Sequence, residues 1–136
     1  MNEIKESIET QMRKGIVEYC FLLILSRHRA YPSEIINTLS QSKLLVKEAT
    51  AYTVLNRLRK EEKVDYEWEE SPSGPPRKYY SITDKGRQAL TVMASVWNDI
   101  VDTVKKLSEI ADTEPPQPPI PDESNPENNH PFIKLS

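Results

Sequence analysis

The sequence predicts a mainly α-helical chain with one small β-hairpin, followed by a single long helix. Three observations predict it. Apolar residues recur at helical spacing in several blocks up to residue 62. The period then changes to strict alternation over residues 64–69, with a proline-rich turn behind it. In the helix from Asp84 to about Ala111 a heptad pattern runs from Leu90 onward. Helices place a buried face every three to four residues, and half-buried strands every two, so a change of period marks a change of element.

The first block is a thin helical stripe of Ile4, Ile8 and Met12. It is too polar to bury itself and needs a partner surface. Gly15 to His28 is the most apolar stretch, apolar nearly all round, and reads as a central core helix. Cys20 sits within it between Tyr19 and Phe21, and reads as a small core hydrophobe. Tyr31-Pro32-Ser33-Glu34 opens a second helix, because proline suits a first turn and Glu34 suits the positive end of the helix dipole. Ile35, Ile36 and Leu39 supply its apolar face.

A third helix is expected from about Lys47 to Glu62. Ala51, Val54, Leu55 and Leu58 share one face. The opposite face carries Ala49, Tyr52, Thr53, Asn56 and Lys60, flanked by Thr50, Arg57 and Arg59. Val64 to Glu69 is a strand, Ser71-Pro72-Ser73-Gly74-Pro75-Pro76 a turn, and Arg77 to Ile82 the return strand. Trp68 in the first strand reads as packing at the hairpin base. Thr83 caps the last helix, with Asp84 in its first turn.

In that last helix Leu90, Met93, Trp97, Ile100, Val104, Leu107 and Ala111 form a heptad seam, widened by Val92, Val96, Val101 and Ile110. A body this small cannot cover so much apolar surface, and a second copy of the chain is the economical cover. Leu90, Met93, Trp97, Ile100, Val104 and Leu107 are the expected dimer interface. From residue 113 the composition shifts. Seven of the eleven prolines lie there, among Asp, Glu and Asn, and a disordered acidic tail is expected. The division is thus 1–83, 84–112 and 113–136.

Net charge is −3, but residues 1–112 hold 17 Lys and Arg against 17 Asp and Glu, so the acidity belongs to the tail. A neutral body can carry a local basic stripe, and phosphates respond to the local field. Enzymatic readings find little support. His28 and His130 join no metal or nucleophile motif, one cysteine rules out a disulfide within the chain, and three glycines make no phosphate loop. No cofactor or metal is expected. The longest uncharged apolar stretch is short for a membrane span, and no secretion signal is read, so a soluble, cytoplasmic protein is expected.

Three helices and a hairpin in this order make a winged helix-turn-helix over residues 14–83. The major groove admits one α-helix, and the third helix is the natural insert. Thr50, Tyr52, Thr53 and Asn56 would meet base edges or phosphates. Lys47, Arg57, Arg59 and Lys60 would neutralise phosphates. The hairpin, with Gly74 at its tip and Arg77 and Lys78 at its exit, would reach the flanking backbone or minor groove. The acids Glu48, Glu61, Glu62, Glu67, Glu69 and Glu70 must then face away from the duplex. A protein-interaction module acting through the long helix and the Pro-rich tail, without direct DNA binding, is the competing class.

The runs RKGIVEYCFLLIL, EATAYTVLNRLRKEEKV and YEWEESPSGPPRKYYSIT, followed by DKG, resemble the PadR family of bacterial transcriptional regulators. The resemblance covers Lys14 to Gly86, and the SGPPRKYY hairpin is its most specific part. It implies a homodimeric repressor on a near-palindromic operator, often beside its own gene, with one long helix for dimerisation. It also allows a small planar aromatic effector near that interface, with Trp97 as one wall of the ligand site. Two runs depart from the family pattern. Tyr31-Pro32-Ser33-Glu34 stands where Tyr-Gly-Tyr-Glu is common, and Ala49-Thr50-Ala51-Tyr52-Thr53 where Gly-Thr-Leu-Tyr-Pro is common. Operator sequence therefore does not transfer from relatives.

Overall fold

The computed structural model describes residues 2–113. In chain order these form α1 (Asn2–Arg13), α2 (Val17–Arg27), α3 (Pro32–Gln41), α4 (Glu48–Lys60), β1 (Val64–Ser71), β2 (Gly74–Ile82) and α5 (Asp84–Ala111). The chain divides into one unit up to Ile100 and a second from Val101. Element types and order follow the sequence pattern. The Pro-rich segment from Glu114 onward lies outside the described residues.

The core belongs to the first unit. Phe21, Leu22 and Leu25 of α2 meet Ile35 and Leu39 of α3 and Ala51, Leu55 and Leu58 of α4. The hairpin adds Val64 and Tyr80. Cys20 packs half-buried against this cluster, and burial pushes its thiol above the usual range, as suits a small hydrophobe. Leu23 departs from the all-round apolar reading of α2 and is exposed.

Local chemistry sets the helix ends. Pro32 opens α3, and the Glu34 carboxylate accepts the Tyr31 N–H at 3.0 Å, closing the first turn. After α3 the chain turns through Lys43 at φ 65°, and the Leu44 N–H reaches back to the Leu39 carbonyl at 2.8 Å. After α4 it turns likewise through Glu62 at φ 62°, with the Lys63 N–H on the Leu58 carbonyl at 2.9 Å. Both are left-handed helix exits, occupied here by side chains where glycine is commoner.

β1 and β2 pair antiparallel, with Val64 opposite Ile82, Tyr66 opposite Tyr80 and Trp68 opposite Lys78. Ala30 bridges Tyr80 through two 2.9 Å backbone bonds, which ties the hairpin base to the start of α3. The strands run further than the composition suggests, leaving only Pro72 and Ser73 between them. A proline-rich segment tolerates this because no third strand pairs with β2 at Pro75 and Pro76, where a missing N–H costs no outer ladder bond. A register irregularity between Glu69 and Ser71 absorbs Pro75 and Pro76.

Trp68 is not base packing. It is 61% exposed, because it lies on the outer half of the hairpin, beyond the point where Val64 and Tyr80 meet the core.

Thr83 fixes the start of α5 as its sequence position predicts. Its hydroxyl donates to the Glu62 carbonyl at 2.6 Å and accepts the Gly86 N–H at 3.0 Å. Gly86 is buried there, and a Cβ would stand 2.0 Å from the Lys63 carbonyl oxygen. Only glycine lets the helix approach the end of α4 so closely.

Candidate nucleic-acid interface

α4 buries Ala51, Val54, Leu55 and Leu58 and exposes every other residue from Glu48 to Lys60. At 100° per residue, Ala49, Thr53, Asn56 and Lys60 lie farthest from the core. Thr53 donates its hydroxyl proton to the Ala49 carbonyl at 3.0 Å, so toward a partner it acts as an acceptor. Asn56 retains both a donor and an acceptor on an exposed side chain. Lys47 stands at the start of the helix, exposed.

The two flanks of α4 differ. On the side toward α2, Arg57 forms an ion pair with Glu18. On the hairpin side, the Arg59 guanidinium lies 4.6 Å from the centre of the Tyr66 ring and 3.6 Å from the Asp65 carboxylate. Both arginines, expected on phosphate, are held by their own chain. Thr50, Tyr52 and Lys60 are exposed.

The hairpin cations rest on aromatic rings. Lys78 Nζ lies 4.5 Å from the centre of Tyr66 and 5.4 Å from that of Trp68. The Arg77 guanidinium lies 5.3 Å from the Tyr31 ring. Such seats hold a cation in place and leave its charge unneutralised. Gly74 is exposed, and a Cβ there would meet nothing of this chain.

Between α4 and the hairpin lies an open cleft of about 460 Å³. Tyr31, Pro32 and Ser33 line it from α3's start, Tyr52 from α4, and Trp68, Pro76, Arg77 and Lys78 from the hairpin. No carboxylate lines it. Partial burial first, and the Glu69 carboxylate next, raise the Tyr31 phenol above its ordinary range.

Three of the acids that would repel phosphate have partners. Glu69 pairs with Arg29 at 2.9 Å, Glu61 with Lys63 at 2.6 Å and Glu62 with Lys85 at 3.7 Å. Sequence reasoning missed Tyr31, Ser33 and Trp68 as cleft residues. The first two carried only a helix-start signal, and the third looked like packing.

The α5 seam divides. Leu90 and Met93 lie half-buried against the chain's own core, which the heptad pattern alone did not distinguish. Trp97, Ile100, Val104 and Leu107 are exposed, as are Val92, Val96, Val101 and Ile110. Trp97 stands 6.4 Å from Tyr19, ring centre to ring centre, in a tilted pair. On α1, Ile4, Ile8 and Met12 are also exposed.

A three-helix core with a helix free on one side and a cation-bearing hairpin beside it defines a winged helix-turn-helix. Residues 21–92 match the transcriptional regulator PadR-like family. A PadR-like transcription factor from Bacteroides fragilis is 42% identical, over 74% of this chain and 98% of that one, with a TM-score of 0.64. A PadR-like transcriptional regulator from Bacillus cereus is 35% identical, over 76% and 99%, with a TM-score of 0.67. A curated protein of Lysinibacillus sphaericus, described only as uncharacterised, is 26% identical over 105 residues, 75% of this chain and 96% of that one. The chain belongs to the PadR-like family and is a DNA-binding transcriptional regulator. The family and these structural neighbours are regulators, not enzymes. Among the described residues no helix is long and apolar enough to cross a membrane.

Proposed function

We propose that this regulator is a homodimeric repressor that occupies a near-palindromic operator. Residues 1–83 grip DNA and residues 84–112 join the subunits. α4 enters the major groove, with Asn56, Thr53, Tyr52 and Thr50 toward base edges. Lys47, Lys60, Arg77 and Lys78 meet phosphates, and Gly74 lets the hairpin tip approach closely. The observation that carries this reading is the carboxylate-free cleft between α4 and a hairpin that presents Arg77 and Lys78.

The uncovered apolar rows on α1 and α5 support the dimer. Eight large apolar side chains of α5, from Val92 to Ile110, are exposed in a single chain. Exposed apolar surface on that scale marks an interface. Two-fold symmetry then sets two α4 helices on successive major grooves and calls for a two-fold operator.

An effector is the finer part of the proposal. Trp97 and Tyr19 form an aromatic pair with the indole still 37% exposed, a surface on which a planar apolar compound can stack. Bound there, it would perturb the dimer and loosen the operator.

A gel shift with the duplex upstream of the protein's own gene tests the reading. A discrete complex, resistant to unrelated competitor DNA, supports it. Equal loss to any competitor removes the operator from the account.

A further inference from the structure

We propose that Trp68 is a DNA contact, its indole packing on a deoxyribose of the strand that enters the cleft between α4 and the hairpin while Lys78 holds the adjoining phosphate. The proposal rests on the DNA-binding reading and adds an aromatic component to a grip otherwise made of charge and hydrogen bonds.

Trp68 is 61% exposed on a two-stranded hairpin. A large apolar ring left open to water is stabilised by any partner that covers it. Its neighbours in the chain, Tyr66 and Lys78, cover it only in part. Tyr66 meets it edge-on at 6.2 Å, and Lys78 stands opposite it in the strand register. The exposed indole is one of the groups that line the cleft.

The chemistry of the cleft selects the occupant. Its walls carry two cations, two phenols and one serine hydroxyl, with no carboxylate among the lining residues. An anionic ligand fits such a wall, and a second copy of the same basic cleft does not. The indole and the ammonium are 5.4 Å apart. An apolar plate beside a cation matches a repeating unit that is apolar on its sugar face and charged at the next phosphate. Nucleic acid supplies that unit, and the groove-facing side of α4 places it alongside.

A contact of this kind reads the backbone and not the bases. It therefore adds equally to binding of any duplex. It also differs from a lysine in releasing no counterion, so its loss leaves the salt dependence intact.

The experiment uses the full chain with two fluorescein-labelled duplexes, one from upstream of its gene and one of random sequence. Anisotropy of the label reports binding, and tryptophan emission reports the indoles, of which the chain has two. Wild-type emission changes on binding. Trp68→Phe binds within about threefold of wild type yet loses that change. Trp68→Ala weakens both duplexes by about tenfold, the order expected for truncating one buried aromatic contact, with an unchanged salt slope. Lys78→Ala flattens the slope by about one per subunit. Emission change retained in Trp68→Phe, or wild-type affinity in Trp68→Ala, overturns the proposal while DNA binding stands. An emission change produced by deleting residues 114–136 in the absence of DNA, and lost in Trp68→Phe, assigns the cleft to the chain's own acidic segment and overturns it too. If wild type binds neither duplex at low salt, the DNA reading falls first.

Discussion

Glu18 of α2 forms an ion pair with Arg57 of α4, tying the flank of the DNA-facing helix to the central core helix. Glu18 is largely covered, with 21% of its side chain exposed, while Arg57 is 54% exposed. A carboxylate in this position occupies the guanidinium as a phosphate would. Replacing it with glutamine frees the charge without removing the shape. Glu18→Gln is expected to tighten DNA binding by about threefold and to steepen the salt slope by about one per subunit. The stability cost should stay below about 1 kcal/mol, as for other partly exposed pairs. Anisotropy across a salt series, with a thermal melt as control, checks both. Weaker binding at every salt would mean that the pair's role is to hold α4 in place.

The hairpin and α4 should divide their labour. Arg77→Ala with Lys78→Ala is expected to lower affinity for all duplexes alike, because phosphate contacts carry no sequence information. Asn56→Ala is expected to cost about 1–3 kcal/mol on the preferred operator and far less on unrelated DNA. Binding-site selection from a randomised pool, run on each variant, separates the two. A double hairpin variant with altered sequence preference would contradict the division.

The approach of α5 to the end of α4 depends on Gly86. The Lys63 carbonyl oxygen, 2.0 Å from where a Cβ would stand, is backbone and cannot swing aside. Gly86→Ala is expected to destabilise the fold by about 3 kcal/mol, at the upper end for forced overpacking. Denaturant unfolding reads it directly, and a midpoint unchanged from wild type would refute the close contact.

The seam on α5 should control assembly. Val104 and Leu107 are 55% and 60% exposed, so charging them removes little that the single chain has buried. Val104→Lys with Leu107→Lys is expected to halve the mass seen by sedimentation and to weaken operator binding. Helical content measured by circular dichroism should fall only slightly. A variant that sediments as wild type would move the interface elsewhere, with the exposed row of α1 as the next candidate.

Much of the fold was legible because it rests on periodicity. The buried face of α4, the alternation of β1 and the Thr83 cap all follow from spacing and local chemistry. The hairpin's length did not, because a proline cluster reads as a turn until the free sheet edge around it is known. Trp68 was misread for a related reason. Alternation tells which face a residue takes, but not how far along that face the core extends. The pairing of Arg57 with Glu18 had no sequence signal, since it joins residues brought together only when α2 and α4 pack. Leu90 and Met93 share a heptad with Trp97 and Val104, and only the position of the core assigns them to the chain itself.

Salt dependence of binding to the duplex upstream of the protein's own gene reads the whole grip on DNA at once. If α4 and the hairpin grip a duplex as a dimer, the logarithm of affinity falls linearly with the logarithm of salt concentration. Four phosphate-seeking cations per subunit, Lys47, Lys60, Arg77 and Lys78, predict a slope on the order of −4 to −7. A slope near zero, or no binding at low salt, would contradict the account.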